Sequence, residues 1–298
     1  MVKRLVVIDG NPVAYRSFHS PGTRNLCTST GVKSGLFYGF LRTYLALRKR
    51  LPNSHFIICF DAGRSWRNDA CAEYKTHAED VRPGGFSTQM MDVLAFLHYV
   101  GIATLQEAML EADDLISVLV SEWVKVYKSA IIVSSDRDFF QLVSEHILLY
   151  DDRAKKFYGP KEVENLTGVK LHYFLNYKCL IGDKADRLSG VYGYGPKRAR
   201  QVCKNPHQML FGADLQLFER NRHLMQLPKS AEDLPLHSQE RRRIRLSINR
   251  LFNDFQIGLH RVSDITSAQE LLAAYECKSY TVGDFLYSPT KDTADDRA

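Results

Sequence analysis

Four short apolar runs constrain this chain more than any other feature. Residues 5–8, 56–60, 131–133 and 147–150 are rich in β-branched and aromatic side chains and lack the polar alternation of a strand wet on one face. They read as buried parallel strands. Between them, Leu36, Phe37, Phe40, Leu41, Tyr44 and Leu45 recur at helical spacing, as do Leu115, Ile116, Leu119, Val120, Trp123, Val124 and Tyr127. Strands alternating with helices predict an α/β fold: a parallel sheet flanked by helices and joined by right-handed crossovers.

From about residue 161 the strand signals fade. Leu171, Phe174, Leu175 and Cys179 suggest a helix, residues 190–195 a tight turn, and Ala199, Val202 and Cys203 a second helix that Pro196 opens. The expected organisation is a sheet domain over 1–160, a helical domain over 161–287 and a polar, frayed tail over 288–298. Residues 205–236 have weak periodicity and support no assignment. Arg241, Arg242, Arg243 and Arg245 flank Ile244, Ile248, Leu251 and Phe255 on an amphipathic helix, and Met90, Met91 and Leu94 read as core.

With 45% hydrophobic and 25% charged residues the chain is neither disordered nor fibrous. No run approaches the roughly 18 apolar residues of a membrane span. The apolar stretch behind Met1-Val2-Lys3-Arg4 is too short for a signal peptide, so a cytoplasmic protein with no membrane partner is expected. The six cysteines form no Cys-x-x-Cys pair, which argues against zinc and redox chemistry. A net charge of +6 suits a nucleic-acid binder and many neutral enzymes alike.

The acids are more telling. Asp9 and Asp61 follow directly on two of the expected strands, and Asp136 with Asp138 follow residues 131–135. Parallel α/β sheets bind ligands at that carboxyl edge. Glu111, Asp113 and Asp114 occupy the first turn of the helix running through Tyr127, over the same edge. Each acid alone also fits a turn former or helix cap. Seven together repel and desolvate badly unless protons or cations neutralise them, and an all-oxygen donor set favours Mg²⁺ or Mn²⁺. Asp183 and Asp186 form a second pair one helical turn apart, as a two-metal phosphodiester hydrolase requires.

The turn Gly190-Val191-Tyr192-Gly193-Tyr194-Gly195-Pro196-Lys197-Arg198-Ala199-Arg200 fits neither a dinucleotide fingerprint nor a Walker A loop. A helix start flanked by Lys197, Arg198 and Arg200 suits a nucleic-acid phosphate, and equally a solvated basic face. Arg64, Trp66, Arg67, Tyr74, Lys75, His77 and Arg82 make a basic, aromatic stretch with no strand pattern, either a single-strand grip or an exposed lid.

In joint order and spacing, several motifs resemble the 5′-nucleases: phage 5′-exonucleases, 5′-nuclease domains of bacterial DNA polymerase I, and flap endonucleases. They are Val7-Ile8-Asp9-Gly10 with Ala14-Tyr15-Arg16, Phe60-Asp61, Tyr74-Lys75, Glu111-Ala112-Asp113-Asp114, Ser135-Asp136-Arg137-Asp138, and Gly182-Asp183-x-x-Asp186 before the glycine turn. The resemblance covers residues 5–203. It implies a PIN-like α/β nuclease domain, a helical arch and a helix-three-turn-helix element that binds duplex DNA. The implied activity is Mg²⁺-dependent hydrolysis of flapped, branched or 5′-ended DNA and of RNA in RNA–DNA hybrids, with two or more ions and Mn²⁺ as a substitute. It further implies a monomer in a bacterial or phage-infected cytoplasm, with a role in DNA replication and repair.

By position, Asp9, Asp61, Glu111, Asp113, Asp114, Asp136 and Asp138 resemble the first-metal cluster, and Asp183 and Asp186 the second. Lys75 and Arg16 resemble catalytic contacts to the scissile phosphate, and Tyr74, Gly190, Gly193, Gly195, Lys197, Arg198 and Arg200 nucleic-acid contacts. Arg187 stands where bacterial members carry Asn, and Ala78 where many carry Arg. No polymerase domain follows, so the chain resembles the stand-alone enzymes. The rival readings are an RNA-directed PIN-like ribonuclease and a branched-DNA-binding protein without catalysis.

Overall fold

The computed structural model describes residues 4–75 and 84–256. All four expected strands form. β1 (Arg4–Asp9), β2 (Ser54–Cys59), β3 (Thr104–Leu105), β4 (Ala130–Val133), β5 (Ile147–Asp151) and β6 (Lys156–Tyr158) make one sheet in the order β3-β2-β1-β4-β5-β6. The first five are parallel and β6 returns antiparallel from β5. Register places Asp9 beside Cys59, Ile8 beside Val133 and Val133 beside Tyr150, which aligns the carboxyl ends of the central strands.

The period of two along each strand divides the core. Leu5, Val7, Ile57, Cys59, Ile132 and Leu149 face one cluster, while Val6, Ile8, Phe56, Ile58, Ile131, Val133 and Tyr150 face another. Helices α1 (Gly10–His19), α2 (Gly35–Arg50) and, beyond the short α3 (Trp66–Ala70), α4 (Phe86–Tyr99) supply the second cluster. Helix α5 (Ala112–Tyr127) packs on β1 and β4 from the other side. Both faces are covered, as runs of unbroken apolar residues require. Met90 and Leu94 pack on the core, but Met91 is 40% exposed, because neighbours on a helix point about 100° apart.

The second half is helical: α6 (Pro160–Thr167), α7 (Phe174–Ile181), α8 (Pro196–Val202), α9 (Pro206–Met209), α10 (Gly212–Met225) and α11 (Ser238–Gln256). A two-stranded pair, β7 (Gly182–Asp183) and β8 (Leu188–Ser189), connects α7 to the glycine turn before α8. Ile244, Ile248 and Leu251 of α11 are buried as its amphipathic pattern predicts. Helix α10, which weak periodicity hid, docks through polar anchors. Its last turn leaves carbonyls without helical partners. Arg67 Nε donates to Leu224 O at 2.8 Å and Gln141 Nε2 to Met225 O at 2.9 Å. Asn221, fully buried, donates to Cys179 O at 3.0 Å and Ser189 O at 2.8 Å.

No helix among the described residues is long and apolar enough to cross a membrane. His77, Ala78 and Arg82 of the expected arch, the end of the expected helical domain and the expected tail lie outside the described residues.

Candidate active site and metal centre

The aligned strand ends deliver the acids to one place. Asp9 closes β1 and is 5% exposed, with its Oδ2 accepting from Ser134 Oγ at 2.8 Å. Asp61 follows β2 and is clamped. Its Oδ1 accepts from the Ala112 amide at 2.7 Å and its Oδ2 from Asn11 Nδ2 at 2.6 Å. Asp113 sits in the first turn of α5, and Asp136 caps the 3-10 turn after β4, accepting from the Asp138 amide at 2.8 Å. Burial, with Asp61 and Asp136 adding repulsion, pushes the Asp9 carboxyl up to about 8. Burial and then Asp136 and Asp9 hold the Asp113 carboxyl well above the usual range. Burial likewise raises Asp61. Each such group is short of positive charge, which a divalent cation supplies without a proton.

Glu111 has the opposite environment. Its Oε1 accepts from Lys75 Nζ at 2.9 Å, and its Oε2 from Tyr74 Oη at 3.0 Å and Arg67 Nη1 at 3.2 Å. Burial alone would raise this carboxyl, but Lys75 and Arg67 outweigh it and hold it below the ordinary value.

A second acidic group lies beside the first. Asp138, Asp183 and Asp186 each offer a carboxylate oxygen within 4.8 Å of the others. The β7–β8 pair brings Asp183 there. Its Oδ1 accepts from the Ala185 amide at 2.8 Å and the Asp186 amide at 3.2 Å. This pair is tight because Gly182 and Gly190 meet backbone to backbone. A Cβ on Gly190 would stand 2.4 Å from Ile181 O, so only glycine fits. Burial pushes Asp138 up to about 6 and raises Asp186, whereas Lys178 and the two amides hold Asp183 below its ordinary value despite burial.

Three expected site residues stand differently from the rest. Asp114 is fully buried and accepts from Arg67 Nη2 at 2.7 Å and Nη1 at 2.8 Å, with the Glu111 amide on its Oδ2 at 3.2 Å. One helical position from Asp113, it points into the core, where the Arg67 guanidinium already neutralises it on both oxygens. Tyr74 is 2% exposed and supports Glu111, so it presents no ring for a base to stack on. Trp66 and Arg67 of the same stretch are buried too, which overturns its reading as an exposed grip or lid at these positions. Arg16 forms a bidentate pair with Asp152 at 2.9 and 2.5 Å and lines a cleft of about 850 Å³ with Arg42, Lys49, Arg50, Arg153 and Lys155.

Sequence reasoning missed Lys178 and Arg67 as partners of the acids. Lys178 sits in the apolar pattern of α7 four residues after Phe174, a spacing that marks a buried face. That was the available signal. The Lys178 ammonium bonds Asp183 Oδ2 at 2.7 Å, while Arg187, three residues beyond Lys184, is exposed and left-handed at φ 57°.

In the glycine turn, Gly193 has φ 80°, and Gly195 precedes Pro196 at the start of α8. Lys197, Arg198 and Arg200 are exposed. Arg198 stacks 4.2 Å above the Tyr194 ring, and Arg200 Nε donates to Thr167 O at 2.9 Å. Tyr192, 95% exposed at the tip, was not singled out by sequence.

Comparison with known proteins bears on the family and the fold. The 5′-3′ exonuclease of Aquifex aeolicus is 31% identical over 204 residues, 68% of this chain and 70% of that protein. DNA polymerase I of Pseudomonas aeruginosa is 34% identical over 196 residues, 65% of this chain but 21% of the polymerase, so the chain spans only a fraction of such relatives. The D15 protein of phage T5, co-crystallised with metal ions, shares the fold with a TM-score of 0.69 at 20% identity, covering 84% of this chain and 99% of that one. Its pseudo-enzyme-product complex with DNA and metal ions, described as a flap endonuclease, superposes with a TM-score of 0.67 at 18% identity over 84% of this chain and 100% of that one. The model of the 5′-3′ exonuclease N-terminal resolvase-like domain matches residues 4–168. With more than half of its length matched by that model, this chain belongs to the 5′-3′ exonuclease family.

Proposed function

We propose that the chain is a structure-selective 5′-nuclease that hydrolyses phosphodiester bonds of DNA at 5′ ends, flaps or branches with the help of two Mg²⁺ ions, for which Mn²⁺ substitutes. The observation that carries this reading is the convergence of Asp9, Asp113 and Asp136 at the sheet edge, with Asp9 buried, Asp113 half-buried, and both mutually repelling and short of positive charge. The donor set fits hard divalent cations: oxygen throughout, on four separate elements, with neither Cys nor His. Asp9, Asp61, Glu111, Asp113 and Asp136 would hold one ion, and Asp138, Asp183 and Asp186 the other. Ions held there supply an acidified water and neutralise charge on the phosphate.

The chain's own residues supply the rest. Asn11, Ser134 and the Ala112 amide fix Asp61 and Asp9, so the carboxylates are preorganised. Lys75, held against Glu111 and 3.8 Å from Asp186, stands between the two acidic groups, where an ammonium stabilises charge developing on a phosphate. Water attacks phosphorus, the P–O3′ bond breaks, and the products are a 3′-hydroxyl and a 5′-phosphate. The exposed face of Lys197, Arg198 and Tyr192 binds the duplex, and Arg16 with the basic cleft beside it contacts further phosphates.

Product mapping on a 5′-labelled flap duplex with Mg²⁺ tests this, beside the same duplex without the flap and with an RNA flap. Cleavage at the junction is expected. Asp113→Ala should abolish it yet leave duplex affinity in Ca²⁺ within about threefold, since the metal site acts mainly in the chemical step. Full activity in that variant, or cleavage of RNA alone, would overturn the proposal.

A further inference from the structure

We propose that Lys178 is a resident cation of the second acidic group, whose ammonium must leave before Asp138 and Asp183 can hold a divalent ion. The inference rests on the reading of the acidic edge as a metal centre and adds an occupant to it. The Lys178 ammonium donates to Asp138 Oδ1 and, at 2.7 Å, to Asp183 Oδ2, with its side chain only 12% exposed. Asp183 Oδ1 is already committed to the Ala185 and Asp186 amides, so Oδ2 is the oxygen open to an ion, and Lys178 holds it. Asp138, Asp183 and Asp186 lie close enough to share one cation, and the lysine occupies two of the three. Lys75 meets this arrangement at its third member: bonded to Glu111, its ammonium also lies 3.8 Å from Asp186.

An ammonium and a divalent ion cannot share two carboxylates without strong repulsion, and a four-carbon stem lets the ammonium swing away. Two consequences follow. The second group binds divalent cations more weakly than the first, because displacing Lys178 opposes binding there. Once displaced, the ammonium is freed beside the bound phosphate, so the second ion and the lysine exchange places as the site loads. The metal-free protein, in turn, keeps three clustered carboxylates compensated without an ion.

The test is Mn²⁺ titration of the full chain, with free Mn²⁺ read by electron paramagnetic resonance. Wild type should show a tighter and a weaker class of site. Lys178→Met, which keeps the stem and removes the charge, should tighten the weaker class by about tenfold or more and leave the tighter class within about twofold. Lys178→Arg, which keeps the charge, should leave the weaker class as weak as in wild type. In thermal unfolding, Lys178→Met should be less stable than wild type in EDTA and gain more from Mn²⁺; a merely structural role would lower stability equally in both.

A second measurement needs no variant. The lysine ammonium ¹H–¹⁵N signal protected by the two carboxylates should disappear or shift during the second step of a Mg²⁺ titration. If that signal stays unchanged through saturation, or Lys178→Met folds and leaves the weaker class unaltered, the inference is overturned while the metal centre stands. If Asp113→Ala leaves the tighter class intact, the underlying reading of the edge fails instead.

Discussion

Replacing Arg67 with methionine should cost this protein a large share of its stability. The guanidinium is 3% exposed and donates to both oxygens of the fully buried Asp114, to Glu111 and to the Leu224 carbonyl at the end of α10. The substitution preserves volume but removes every one of these donors, leaving a buried carboxylate with one backbone amide at 3.2 Å and a helix-end carbonyl without a partner. Breaking a buried pair by removing one member costs about 3–5 kcal/mol, and we expect about 4 kcal/mol here, toward the middle of that range because Glu111 keeps Lys75 and Tyr74. In a chain of this size that is a fall of about 10 °C in melting temperature. Urea unfolding of wild type, Arg67→Met, Asp114→Asn and the double variant gives a cycle. Because the double variant leaves no uncompensated charge, its loss should be smaller than the sum of the single losses by about 2 kcal/mol or more. A single-variant loss below about 1 kcal/mol, or strict additivity, would refute the reasoning.

Stability in EDTA should fall as pH rises from about 4 to about 8, because unfolded chains release protons that folded Asp9, held up to about 8, and Asp138, held up to about 6, retain. Each such group contributes a slope of at most about 1.4 kcal/mol per pH unit, and Mg²⁺ should flatten it; a melting temperature constant from pH 5 to 8 in EDTA would contradict the burial of these acids. Below about pH 4 the trend should reverse, as Glu111 and Asp183, both held low, take up protons and lose their lysine partners. Replacing Lys197, Arg198 and Arg200 together with alanine should reduce the salt slope of duplex binding by about 2, since Arg200 is engaged with Thr167 and roughly one unit is lost per phosphate contact; an unchanged slope would return this face to solvent.

Local pattern determined the scaffold and the acidic edge. Unbroken apolar runs could only be strands covered on both faces, and an acid directly behind such a run has nowhere to go but the carboxyl edge. Short or polar strands carried no such signal: β3 has two residues, and β6 is Lys156, Phe157 and Tyr158. Helix α10 was equally hidden, because its buried stripe of Phe218, Leu224 and Met225 is interrupted by the buried Asn221, whose backbone partners lie 42 and 32 residues away. Within the site, sequence placed Asp113 and Asp114 together as equals. The fold separated them, because one step along a helix turns a side chain by about 100°, putting one carboxylate at the edge and the other against a buried guanidinium. Trp66, Arg67 and Tyr74 read as a solvent-facing basic stretch, since burying an arginine requires partners 44 and 47 residues away that no local pattern announces. Lys178 shares this in part: the buried helix face around it is legible, but its partner Asp138, 40 residues away, is not. A strand or helix is set by neighbours a few residues apart, whereas the compensation of a buried charge is set by whichever distant carboxylates the topology brings within about 3 Å, and only the tertiary structure decides that.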